Sequence, residues 1–184
     1  MGIPIESPDG PLVRRVLEGD ASAFAGLVAR YRDRLGRYAM RMLGNQADAE
    51  EALQDTFVRA YKSLGRCTDP DRFGAWLFGI LVNRCRTHGA QRARRERLLV
   101  TDEVALATAS VGDAAEGHAW RETIAWALAR IPPAYREAFL LKHVEDRTYE
   151  EMEVLTGASV PALKMRVVRA REMLRRLLEE SGNA

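Results

Sequence analysis

At 184 residues with 47% hydrophobic side chains, the chain has room for one large domain or two small ones, and enough apolar material to fill their cores. Its 28 Lys and Arg against 26 Asp and Glu leave a formal net charge of only +2, so any contact with a polyanion has to come from local clusters of charge. Cys67 and Cys85 are too few for a disulfide framework, no apolar run is long enough to cross a membrane, and MGIPIESPDG lacks a signal-peptide pattern, which together make a cytoplasmic protein with reduced thiols the expectation.

In chain order, residues 1–10 are rich in Pro and Gly and are expected to form a disordered N-terminus, with fraying as far as Pro11. Leu12, Val13, Val16 and Leu17 mark a short amphipathic helix that Gly19 ends. Asp20 then caps a longer one, in which Phe24, Leu27, Val28, Tyr31, Leu35, Tyr38 and Met42 keep a three-or-four spacing up to Gly44-Asn45. The next helix turns Ala49, Ala52, Leu53, Thr56, Phe57, Ala60 and Leu64 inward. It shows Glu51, Gln54, Asp55, Val58 and Lys62 on its outer face.

After Gly65 the loop RCTDP leads into Asp69-Pro70, a helix start. The helix that follows, from Phe73 to His88, is apolar nearly all round (FGAWLFGILVN) and then turns basic. Arg84, Arg86, Arg92, Arg94, Arg95 and Arg97 crowd this stretch with only Glu96 against them. Such a helix is either fully buried or exposes aromatic surface for a reason. An aromatic front with a basic rear suits nucleic acid, because bases stack on rings while Arg holds phosphate; a core helix with a solvated tail fits the same residues.

From Leu98 to His118 the chain is Ala/Gly/Ser-rich, holds Asp102, Glu103, Asp113 and Glu116, and has no Lys or Arg, so it is expected to be a flexible acidic linker. Trp120, Ile124, Ala127, Leu128 and Ile131 then form one helical face, and Pro132-Pro133 break it before a helix through Ala138, Phe139 and Leu141. The end of the chain holds two short helices joined by a turn. Thr148 and Glu151 have capping-box spacing, Gly157 stops the first helix, Ser159 can cap the second, and Pro161 falls in its first turn. Leu163, Val167, Ala170 and Leu174 share one face of that second helix, and Lys164, Met165, Val168, Arg169, Arg171 and Arg175 fall away from it. This is the form of a helix-turn-helix with its recognition helix, the bland alternative being a solvated basic helix in a bundle. With no strand pattern, the fold class expected is all-α: two small helical domains joined by the linker, the C-terminal one a helix-turn-helix.

Enzyme chemistry finds no support. There is no Ser/His/Asp set, Walker loop, dinucleotide fingerprint or HExxH; His88, His118 and His143 are scattered. Cys85-x-x-His88 could hold half a metal site, but no second pair accompanies it, so no cofactor and no metal are expected.

Three blocks in this order resemble one family. Gln54-Asp55-Thr56-Phe57-Val58-Arg59-Ala60-Tyr61 is similar to the Q-[ED]-T-F-x-[RK]-[AV] block of bacterial sigma factors. Phe73-x-x-Trp76-Leu77-x-x-Ile80-x-x-Asn83 resembles their promoter-melting helix, and Leu128-x-x-Ile131-Pro132, Tyr149-Glu150-Glu151-Met152 and Val160 to Arg171 resemble their terminal domain. Two domains with a short linker point to the extracytoplasmic-function (ECF) group of the sigma-70 family. The resemblance implies a region 2 domain at 11–97, a linker at 98–118 that threads the polymerase toward the RNA exit path, and a region 4 domain at 119–184.

The resemblance also implies partners and roles. The partners are core RNA polymerase (the clamp helices of its largest subunit and the flap of its second-largest), promoter DNA in double- and single-stranded form, and an anti-sigma factor, with no membrane insertion. Polymerase docking falls on Glu51, Gln54, Asp55 and Val58. Minus-ten recognition and melting fall on Cys67, Thr68, Asp69, Phe73, Trp76, Asn83, Arg84, Arg86 and Thr87. Minus-thirty-five recognition falls on Lys164, Met165, Arg166, Val168, Arg169 and Arg171. Where the family often has Gly-Thr-Val-Lys-Ser-Arg, this chain has Pro161-Ala162-Leu163-Lys164-Met165-Arg166, and Met165 and Val168 favour thymine methyls over hydrogen-bonded readout. The alternative function, a stand-alone helix-turn-helix repressor with an N-terminal regulatory domain, accounts for Trp120 to Arg176 but not for the aromatic-then-basic helix.

Overall fold

The computed structural model describes residues 8–99 and 117–182. They form helices α1 (Asp9–Leu17), α2 (Ala23–Leu43), α3 (Gln46–Lys62), α4 (Phe73–Leu99), α5 (Gly117–Arg130), α6 (Pro133–His143), α7 (Tyr149–Thr156) and α8 (Val160–Gly182), with no strand among the described residues. The all-α expectation holds. Of the expected linker, residues 100–116 lie outside the described residues, and its ends belong to α4 and α5.

The N-terminal expectation needs correction. Residues 1–7 lie outside the described residues, but α1 already starts at Asp9, inside the stretch expected to be loose. Asp9 is a first-turn acid, favourable at a helix N-terminus, and its buried carboxylate accepts from Arg30 and from the Tyr31 hydroxyl of α2. Composition suggested a frayed end; a tertiary anchor fixes it.

Helix ends elsewhere follow local chemistry. Gly44, at φ 76°, takes the left-handed position that ends α2, and the Asn45 side chain accepts from Asp48 N–H (2.8 Å) to start α3 at once. Ala49, Ala52 and Ala60 line the inner face of α3, and such small side chains let α2 and α4 approach closely. Thr56 sits fully buried on that face because its hydroxyl donates back to Ala52 C=O (2.7 Å).

α4 resolves the puzzle of a helix apolar nearly all round. Phe73, Leu77, Phe78, Leu81, Val82 and Cys85 are all buried, because α2 and α3 pack on one side of α4 and α7 on another. The rear half gathers α5, α6 and α7 around α8, with Leu128, Leu140, Leu141, Met152, Leu163, Val167 and Ala170 in its core.

The two halves touch, α2 against α5 and α6, and α4 against α7. The Arg86 guanidinium forks onto Glu137, with Nε and Nη2 each 2.7 Å from a carboxylate oxygen. Arg34 meets Glu145 at 2.9 Å, Arg136 Nη1 donates to Met42 C=O at 2.6 Å, and Arg147 lies 5.2 Å over the Phe78 ring.

Candidate nucleic-acid and partner interfaces

The C-terminal half of α3 and the middle of α4 flank an open cavity of about 410 Å³ lined by Arg59, Lys62, Ser63, Arg66, Ile80, Asn83 and Arg84. Asn83 projects from α4 and is exposed, with four cations around it. Only Asn83 and Arg84 of this set belong to the minus-ten residues expected from the sequence. Arg59, Lys62 and Arg66 repeat at spacings of three and four, a basic stripe visible in the sequence that becomes a wall once α4 lies beside it.

The other expected minus-ten residues are dispersed. Thr68 and Asp69 are exposed in the loop directly after Arg66, and one Asp69 oxygen accepts from Asp71 N–H (3.1 Å). Cys67 is buried, its Sγ 3.4 Å from Asp69 C=O, and burial pushes the thiol above its ordinary pKa. Phe73 is fully buried, edge-on to Tyr31 and tilted against Trp76, so the half-buried Trp76 is the ring with surface to offer. Thr87 donates to Asn83 C=O at 2.9 Å. Arg86 is committed to Glu137, and its Nη1 also donates to Thr156 C=O at 3.2 Å.

On the outer face of α3, Glu51, Gln54, Asp55 and Val58 form one accessible stripe, with Tyr61 a turn further on. Behind the acids lies a residue the sequence did not single out for this face. His88 of α4 is buried, its Nε2 3.3 Å from Asp55 Oδ2 and its Nδ1 3.7 Å from Glu51 Oε2. Cys85, one turn before it, is held up at about 12 by burial and by the nearby Glu137 charge. Among the described residues no group of three or more His, Cys, Asp or Glu is placed to hold a metal, and no helix is long and apolar enough to cross a membrane.

The helix-turn-helix is assembled as its local chemistry dictates. Glu151 N–H donates to Thr148 Oγ1 (3.1 Å) while Thr148 N–H donates to Glu151 Oε2 (2.9 Å), closing the capping box. Gly157 takes φ 70°. The first turn of α8 is capped from α7, by Glu153 Oε1 accepting from Val160 N–H (3.3 Å), rather than by the Ser159 side chain. Leu163, Val167, Ala170 and Leu174 are buried as a single face.

Lys164, Met165, Val168 and Arg169 are exposed together, and Arg166 is half-buried on one flank. Arg171, on the other flank, lines a second cavity of about 480 Å³ whose apolar floor is Ile124, Ala127, Phe139, Leu174 and Leu178, with Arg175 and Glu179 beside it. Glu172, absent from the expected readers, pairs with Arg169 at 3.2 Å.

The chain is similar to known proteins along most of its length. Residues 27–95 match Sigma-70 region 2, and residues 121–174 match Sigma-70, region 4. The RNA polymerase sigma factor CarQ of Myxococcus xanthus is 32% identical over 91% of this chain and 96% of its own. The ECF RNA polymerase sigma factor SigW of Bacillus subtilis is 29% identical over 91% of this chain and 95% of its own. Among solved structures, CnrH in complex with the cytosolic domain of CnrY is 30% identical over 94% of this chain and 97% of that one, with a TM-score of 0.63. The fold is shared with the sigma factor RpoE of Bartonella quintana, solved with the anti-sigma factor NepR (24% identity, 85% and 96% of the chains, TM-score 0.67).

The chain belongs to the ECF group of the sigma-70 family of RNA polymerase sigma factors. Proteins of this family are transcription initiation factors rather than enzymes, and none of these matches supports the stand-alone repressor alternative.

Proposed function

We propose that this sigma factor holds core polymerase through α3, grips the melted minus-ten strand in the α3–α4 cavity, and reads the minus-thirty-five duplex with α8. Opening a duplex costs a few kcal/mol per unstacked step, so a protein without ATP has to offer replacement contacts. The observation that carries this reading is the cavity itself, where an Asn83 amide able to pair with a base edge stands among Arg59, Lys62, Arg66 and Arg84, which can hold the flanking phosphates. Trp76 supplies a ring nearby, and Phe73 supports it from the core.

On α8, Lys164 and Arg169 reach guanine edges or phosphate, while Met165 and Val168 meet thymine methyls. The carboxylates and amide of Glu51, Gln54 and Asp55, with Val58 among them, suit a basic partner helix, namely the clamp helices of the largest polymerase subunit. The apolar cavity between α5, α6 and α8 suits an apolar anchor from the flap of the second-largest subunit. A protein antagonist is a further expected partner, in line with RpoE, solved with the anti-sigma factor NepR, and CnrH, solved with the cytosolic domain of CnrY. The polymerase it serves places it in the cytoplasm. Run-off transcription with core polymerase and a promoter library tests the whole reading: RNA should start at a subset of promoters, and no product at any of them refutes it.

A further inference from the structure

We propose that His88 of α4 is a positioning residue for polymerase docking, holding Asp55 and Glu51 of α3 in the orientation that a basic partner helix meets. This rests on the docking role given above to Glu51, Gln54, Asp55 and Val58. The ring is only 6% exposed, and each of its nitrogens lies within ion-pair reach of one of the two acids. Nε2 stands 3.3 Å from Asp55 Oδ2, and Nδ1 stands 3.7 Å from Glu51 Oε2. A carboxylate can only accept, so the Asp55 contact puts a hydrogen on Nε2. Neither acid is hidden by the contact, since the side chain of Asp55 stays 47% exposed and that of Glu51 61%. His88 therefore touches the docking stripe from behind and leaves its outer surface open.

A buried histidine needs a partner for its own sake, so the contact alone does not say which group serves which. Two features give it a direction. The helix pair does not depend on His88: Ala49, Ala52 and Ala60 pack the inner face of α3, and Arg92, one turn further along α4, bridges to Asp48 at 3.5 Å. The acids, in contrast, depend on His88 alone. Among the described residues it is the one side-chain partner of either. Without it, two carboxylates on rotatable stems would have to be ordered when the partner helix arrives. Ordering them beforehand removes that cost from binding, an effect on affinity of roughly 3- to 10-fold.

The test is the core-polymerase affinity of the full chain with two replacements at this position. His88→Phe keeps a ring in the buried site and removes both nitrogens; Asp55 and Glu51 then face water, so no buried group is left unpaired. His88→Gln keeps an N–H donor close to where Nε2 stands. His88→Phe should bind core roughly 3- to 10-fold more weakly, and His88→Gln within about twofold of wild type. In a chain that already carries Glu51→Ala and Asp55→Ala, His88→Phe should lose nothing further, because the groups it acts through are gone. At saturating core polymerase, run-off yield should equal that of wild type for both His88 variants.

A folded His88→Phe chain with wild-type affinity overturns the proposal. So does a His88→Gln chain as weak as His88→Phe, or an equal loss with and without the two acids, because packing alone accounts for either. If His88→Phe does not fold, the wild-type ring decides. Its nitrogen NMR shifts should move when both acids are replaced by Ala, and unmoved shifts overturn the proposal. Failure of the docking face itself looks different: Glu51→Ala with Asp55→Ala alone then keeps wild-type affinity.

Discussion

Asn83 and Arg86 lie less than one turn apart on α4, yet one stands in a cationic cavity and the other is forked onto Glu137. The difference sets what each substitution should do. Asn83→Ala removes the amide from the cavity lining and leaves its four cations, so initial promoter binding, dominated by phosphate contacts, should be nearly unchanged. Open-complex formation should suffer, and permanganate footprinting should show fewer reactive thymines in the minus-ten box; a wild-type footprint would refute the base-holding role. Arg169 on α8 is exposed and, among the described residues, paired only with Glu172, an exposed ion pair that contributes little to stability. Arg169→Ala should therefore leave the fold intact and weaken binding to a cognate minus-thirty-five duplex by ~1–3 kcal/mol, with equal affinity on that duplex the contrary result.

At the scale of elements, α3 does three things along one rod: an alanine seam inside, acids outside at its N-terminal half, and bases outside at its C-terminal half, the order a helix dipole favours. Gln54→Ala alters an exposed position and Asp55→Ala a half-buried one beside His88, and alanine favours helix at both, so helicity should persist while affinity for core polymerase falls by on the order of 1–2 kcal/mol. Undiminished retention in a pull-down would sink the docking face. Much of this organisation is legible in the sequence where the cause is local. Thr148 with Glu151, Gly157, Gly44 and the Leu163–Val167–Ala170–Leu174 face all act within a few residues, and all are found as read. The cap of α8 and the start of α1 are not legible, because Glu153 reaches across the turn and Asp9 is fixed by residues more than twenty positions away. Nor does anything local distinguish Arg86 from Arg84: the partner of Arg86 lies 51 residues further on, and only packing brings it there. The same holds for the apolar girdle of α4, which reads equally as core or as exposed aromatic surface until α7 covers it.

For the whole molecule, one tie between the halves is Arg136, a buried guanidinium with no carboxylate partner among the described residues. It donates to Met42 C=O at the end of α2 (2.6 Å) and to Ala129 (2.8 Å) and Ile131 (3.2 Å) at the end of α5, so one cation sits on two helix C-termini from different halves. Burial, with the Arg92 charge nearby, pushes its pKa down from the usual value, but an arginine keeps its proton in proteins, so carbonyl dipoles have to compensate the charge. Arg136→Met keeps most of the stem but leaves those carbonyls without their donor, which should cost about 2–4 kcal/mol. The larger consequence is for cooperativity. Two small helical units melt together only while the coupling between them is comparable with the stability of either alone. Wild type is therefore expected to unfold in one calorimetric transition. In Arg136→Met that transition should split, the front half (α1–α4) and the rear half (α5–α8) each melting in its own step; a single transition displaced to lower temperature would place the coupling in Arg86–Glu137 and the apolar packing instead.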